Sequence, residues 1–178
     1  MKFLCLMPLC VLAAQVASAH VVLDQPAALA GTGYKAALRV SHGCDGSPTT
    51  AIKVFVPAGL QGAKPQPKPG WTLAVTTGTL ATPYTSHGKT VTDDVTAITW
   101  TAASKDSWLP DAYFDEFVLR GSLPQQPGAM WFRVLQTCEK GSTDWAELPA
   151  AGTSTQGLKS PAALLELIES GHAGGHQH

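Results

Sequence analysis

The stretch YKAALRVS, residues 34–41, puts Tyr34, Ala36, Leu38 and Val40 on one side and Lys35, Arg39 and Ser41 on the other. A period of two is the signature of a strand with one face in a core and the other in water. The same alternation returns in AIKVFVP (Ile52, Val54, Val56), in WTLAVTT from Trp71 and in AITWTA (Ile98, Trp100). It recurs in FDEFVLRG, with Phe114, Glu116 and Val118 against Phe117 and Leu119, and in AMWFRVLQTC, with Met130, Phe132 and Val134. Turn-formers separate these runs: Gly43 to Pro48, the Pro-rich Lys64 to Gly70, Ser86-His87-Gly88, Leu109-Pro110-Asp111 and Pro124 to Gly128. Proline at such points cannot join a central ladder. Seven or eight short strands of this kind predict an all-β chain, an antiparallel β-sandwich of immunoglobulin-like or cupredoxin-like shape.

Helical signal is confined to the end of the chain. Ser160 suits a cap, Pro161 the first helical position, and Leu164, Leu165 and Ile168 one apolar face before Gly171, which predicts a short amphipathic helix. Residues 151–159 read as a linker, and the tail GHAGGHQH as disordered.

The other end reads as an export signal. Lys2 precedes the apolar run Phe3 to Ala14, and Ala17-Ser18-Ala19 has the A-x-A shape of a leader-peptidase site. Cleavage there makes His20 the first residue of a periplasmic or otherwise exported protein. A lipoprotein reading fails at Leu9, which stands before Cys10 where a small residue is needed. About 160 residues then remain, enough for one domain, expected over 20–150. Cys5 and Cys10 leave with the leader, so Cys44 and Cys138 are the mature cysteines, and an oxidising compartment favours a disulfide between them.

The charge balance, 12 Lys+Arg against 13 Asp+Glu with no basic run, argues against nucleic acid as a partner. No apolar run beyond the leader approaches the length of a membrane span. Neither G-x-S-x-G, H-E-x-x-H nor a phosphate loop is present, so the chain reads as a binding protein and not as a hydrolytic enzyme.

Metal chemistry is the remaining prospect. An N-terminal histidine offers its α-amine and its imidazole Nδ1 as a six-membered chelate, and copper(II) favours such nitrogen donors. The α-amine titrates near ~8, so losing its proton to a metal at neutral pH costs little. SHGCDGSPTT sets His42, Cys44 and Asp45 in one tight turn, where His42 could add a nitrogen and Asp45 a carboxylate oxygen. Each also has an ordinary structural reading, within the turn itself. A Cys44–Cys138 bridge would draw Asp144 and Trp145 of QTCEKGSTDW to that turn, and the Trp145 indole could cover a metal there, although a tryptophan in a sandwich commonly packs the core. Asp115 and Glu116 lie on opposite faces of a strand and read as structural, and His87 reads as solvated. His172, His176 and His178 form a His-rich tract able to capture metal without fixed geometry. No methionine cluster for copper(I) exists, since Met130 alone survives processing.

AHVVLDQP, HGCDGSPTTAIKVFVPAG, KPQPKPGWTL, FDEFVLRGSLP and MWFRVLQTCEKGSTDW together resemble the YcnI-type copper-binding domain of bacterial cell-envelope proteins, from His20 to about Pro149. The resemblance implies a cupredoxin-type sandwich with a copper(II) brace made by one N-terminal histidine, an acidic side chain and a tryptophan. His20 and Trp145 take the first and last of these places. The acidic place falls in HGCDGS, which carries no glutamate, so Asp45 or His42 fills it. The cysteine pair belongs to the HGC-containing branch and is structural. The implied function is copper trafficking or homeostasis with other envelope copper proteins, a chaperone or transporter, as partners. Two rivals stand beside it: a copper-dependent oxidase, which needs a second histidine from His42 or His87, and a metal-free immunoglobulin-like interaction domain.

Overall fold

Alternating burial is what builds this molecule. In the computed structural model, which describes residues 20–169, the side chains of Tyr34, Ala36, Leu38 and Val40 are all buried on one face of a single strand. The strands are β1 (Val22–Leu23), β2 (Ala27–Leu29), β3 (Gly33–Val40), β4 (Thr49–Phe55), β5 (Gln61–Pro65), β6 (Trp71–Ser86), β7 (Lys89–Ala102), β8 (Asp115–Ser122), β9 (Gly128–Cys138), β10 (Ser142–Trp145) and β11 (Ala163–Ile168). One short 3-10 turn, Lys105–Ser107, interrupts them.

Two sheets result. The four-stranded sheet runs β1-β3-β8-β5, and the seven-stranded sheet runs β2-β11-β9-β4-β7-β6 with β10 also paired to β9. All pairings are antiparallel except β2 with β11. Leu38, Phe117 and Leu119 from the first sheet meet Ile52, Trp100, Phe132 and Leu165 from the second in one core. Phe117 is its hinge point, edge-on to Trp71 at 5.0 Å and to Trp100 at 5.8 Å between ring centroids. Inward aromatic and branched side chains from both sheets make the sandwich, as the alternation predicts.

The structure corrects one expectation. Residues 163–168 form β11 and not a helix: Ala163, Leu165 and Leu167 are buried while Leu164, Glu166 and Ile168 are not, a period of two. Six residues after Pro161 are too few for a helix to be stable alone. The backbone donors and acceptors are met instead by β9 on one side and β2 on the other. The sandwich therefore continues to Ile168. The leader, Gly171 and the tail histidines His172, His176 and His178 lie outside the described residues. Among the described residues no helix is long and apolar enough to cross a membrane.

Candidate metal centre

Two short pairings bring the start of the described chain to the HGC turn. Val22 and Leu23 of β1 pair with Arg39 and Leu38 of β3. Continuing that register by two residues sets His20 opposite Ser41, beside His42. The turn itself is fixed from within: Cys44 and Ser47 exchange both backbone hydrogen bonds, and Asp45 and Gly46 between them have φ of 48° and 80°. Two successive positive φ values define the tight turn that Asp-Gly favours. Gly43 is required there, since a Cβ would come within 1.8 Å of the Ser47 carbonyl oxygen, and its N–H donates to Asp111 Oδ1 at 2.8 Å.

The Cys44–Cys138 disulfide joins this turn to the end of β9, with Cα atoms 6.0 Å apart. Its neighbours tighten the seam. Ser47 Oγ accepts from the Lys140 N–H, and the Pro48 carbonyl accepts from the Glu139 N–H. The chain then reverses into β10, whose register places Trp145 opposite Val134.

Trp145 is the centre of the arrangement. It is 4% exposed and belongs to the core, yet one edge of its environment is formed by two imidazoles. The His20 ring lies 5.8 Å from it at an interplanar angle of 70°, and the His42 ring 6.0 Å at 77°. Both histidines are partly buried. His42 Nδ1 bonds the Gly43 carbonyl oxygen, which selects the tautomer with its lone pair on Nε2. His20, His42 and Trp145 are thus brought together. Asp45 is exposed at the tip of its turn, and among the described residues no three His, Cys, Asp or Glu side chains gather as a ligand set. Asp144 is engaged at 3.6 Å with Arg133, and His87 sits far along the chain in the β6–β7 hairpin turn.

Gln136 is the residue that sequence reading misses. It is fully buried, its Oε1 accepts from the Trp145 indole N–H at 2.9 Å, and its Nε2 donates at 2.7 Å to both the His42 carbonyl and Thr49 Oγ1. One amide therefore holds the indole and the His42 backbone in a common frame. Its signal was available: Gln136 occupies the inward register of Met130, Phe132, Val134 and Cys138, where a polar side chain is costly without partners. Replacing it with leucine orphans the indole N–H and the His42 carbonyl. We expect Gln136→Leu to lower stability by about 2–3 kcal/mol in a urea melt; a loss below about 0.5 kcal/mol would show that water replaces the amide.

The chemistry open to this arrangement is that of imidazole nitrogens held against a rigid indole. Neutral imidazole is a ligand for copper, zinc, iron and nickel. Over residues 20–167 the chain matches the family model described as a domain of unknown function, DUF1775. It is also similar to a crystal structure of an uncharacterized protein from Nocardia farcinica that has an immunoglobulin-like fold. The two share 28% identity with a TM-score of 0.63, over 83% of this chain and 97% of that one. Comparison with curated proteins finds no match.

Proposed function

The chain belongs to the DUF1775 family, and from that premise and the imidazole pair at Trp145 we propose an exported copper(II)-binding protein that serves copper trafficking or homeostasis. The observation that carries this reading is the convergence of His20 and His42 on one buried indole. Cleavage before His20 supplies the α-amine, which with His20 Nδ1 makes a chelate. His42 Nε2 then adds a third nitrogen. The pair argues for His42 over Asp45 in the open place of the brace, because Asp45 stands exposed at its turn while His42 touches the same indole as His20. Trp145, locked by Gln136, would stand beside a bound ion as a surface that offers it no donor. The Cys44–Cys138 disulfide agrees with an oxidising compartment. The partners are envelope copper proteins that deliver or collect the ion, and the chain acts as a binding module.

The test is a copper(II) titration of the mature protein beginning at His20, read by its paramagnetic spectrum and its melting temperature. Copper is expected to raise the melting temperature, as any ligand of the native state does, and the spectrum to carry three nitrogen couplings. His42→Ala should leave two couplings and weaken binding by at least about a hundredfold, since losing a group that only supports a ligand already costs about 10–100-fold. An unchanged spectrum in that variant returns the place to Asp45, and an absent thermal shift sinks the copper reading altogether.

One observation also favours a second reading. His42 is the second imidazole that a copper-dependent oxidase needs for a three-nitrogen brace. Oxidation of a polysaccharide by the copper-loaded protein, lost in His42→Ala, would decide for it.

A further inference from the structure

The outward face of the four-stranded sheet carries an electrostatic arrangement that folding alone does not favour. In the β3–β8–β5 register, Lys35 stands opposite Arg120, and Arg120 stands opposite Lys64. Register partners share a face, about 5 Å apart at Cβ, so three exposed cations lie abreast across three strands. Like charges placed directly opposite one another destabilise a sheet. The ion pairs of the described residues lie elsewhere, at Arg39–Asp24, Lys68–Asp115 and Arg133–Asp144, and none involves Lys35, Lys64 or Arg120.

A wall stands over one end of this row. Strands β6 and β7 run out into a hairpin closed by His87 and Gly88, whose φ values of 47° and 74° form the tight turn that returns the chain. Beneath it lies a concavity of about 360 Å³, to which Lys64, Arg120 and Ser122 contribute from the sheet and Tyr84, Ser86 and His87 from the hairpin. A carboxylate at this wall is already occupied. Asp94 accepts from the Gly62 N–H at 2.8 Å, the Tyr84 hydroxyl at 2.8 Å and the Val95 N–H at 2.7 Å, and so ties the hairpin to β5. Burial pushes its carboxyl up, but these three donors hold it below the usual carboxylate range.

We propose that this concavity is an oxyanion site of the phosphate class, taking inorganic phosphate or a phosphate monoester on a lipid headgroup. Arg120 presents the planar fork that matches two phosphate oxygens, Lys64 adds a second positive charge, and Lys35 supports both from the neighbouring strand. Ser86 and Ser122 offer hydroxyl donors to the remaining oxygens. The site is separate from the histidine pair and stands or falls independently of copper.

Thermal melts of the mature protein in phosphate, against sodium chloride of equal ionic strength, provide the test. At about ten times its dissociation constant, phosphate should raise the melting temperature by about 3–5 °C beyond the chloride control. A parallel arm measures co-sedimentation with phosphatidylcholine vesicles with and without phosphatidic acid. Arg120→Gln should abolish both responses while raising the melting temperature of the anion-free protein, because it relieves like-charge crowding. A residue with a merely structural role would lower it. Lys64→Gln should act in the same direction. A response to vesicles alone identifies the lipid headgroup as the source, and a response to phosphate alone the free anion. No response to either beyond the controls, or a full response retained by Arg120→Gln, overturns the proposal.

Discussion

Placing one alanine ahead of His20 should weaken copper(II) binding by at least about a hundredfold. Loss of a group that merely supports a metal ligand costs about 10–100-fold, and this insertion removes a ligand outright: the His20 nitrogen becomes an amide and the free α-amine moves to the added alanine. The imidazole remains against Trp145, so the fold and the His20–Trp145 contact persist while the chelate ring is gone. Competition with a chelator of known copper affinity measures the change, and the melting temperature of the metal-free protein should stay within about 1 °C of the parent. Equal affinity in the extended protein would be fatal to a terminal brace.

Removing the disulfide should produce the largest loss of stability. Cys44 and Cys138 are 94 residues apart in sequence, and the chain-entropy model assigns a loop of that size roughly 4–5 kcal/mol. For a domain of this length that corresponds to a fall in melting temperature of about 10–15 °C. The bridge also seats the His42 turn against the end of β9, so the double variant Cys44→Ala/Cys138→Ala should bind copper more weakly than the parent. Parent protein in excess reductant should melt with the variant. A difference of less than about 1 kcal/mol between oxidised parent and variant would mean that the hydrogen bonds of Ser47, Pro48 and Thr49 already close the loop unaided.

The sandwich was legible because its cause is local. Inward positions such as Tyr34, Leu38, Ile52, Trp100, Phe117 and Phe132 announce themselves by alternation with polar neighbours, and each is buried. β11 is ambiguous in the sequence because SPAALLELIES satisfies two periods at once: Leu164, Leu165 and Ile168 make a helical face, while Ala163, Leu165 and Leu167 make a strand face. The available sheet edge decided between them. The role of Gln136 is hidden in the sequence for a related reason, since its partners, the Trp145 indole and the His42 carbonyl, lie 9 and 94 residues away.

The amino-acid sequence by itself determined the all-β class, the pairing of two cysteines and the interest of His20, His42, Asp45 and Trp145. The class and the metal candidates follow from side-chain period and donor chemistry, which are properties of short stretches, and the pairing follows from the export signal and the cysteine count. Only the tertiary structure decided that His42 joins His20 at the indole and that Asp45 does not complete a cluster with them. It also set three cations abreast on an outer face and turned the last apolar run into a strand. These outcomes depend on register between strands far apart in the chain, and register is set by which inward faces pack together.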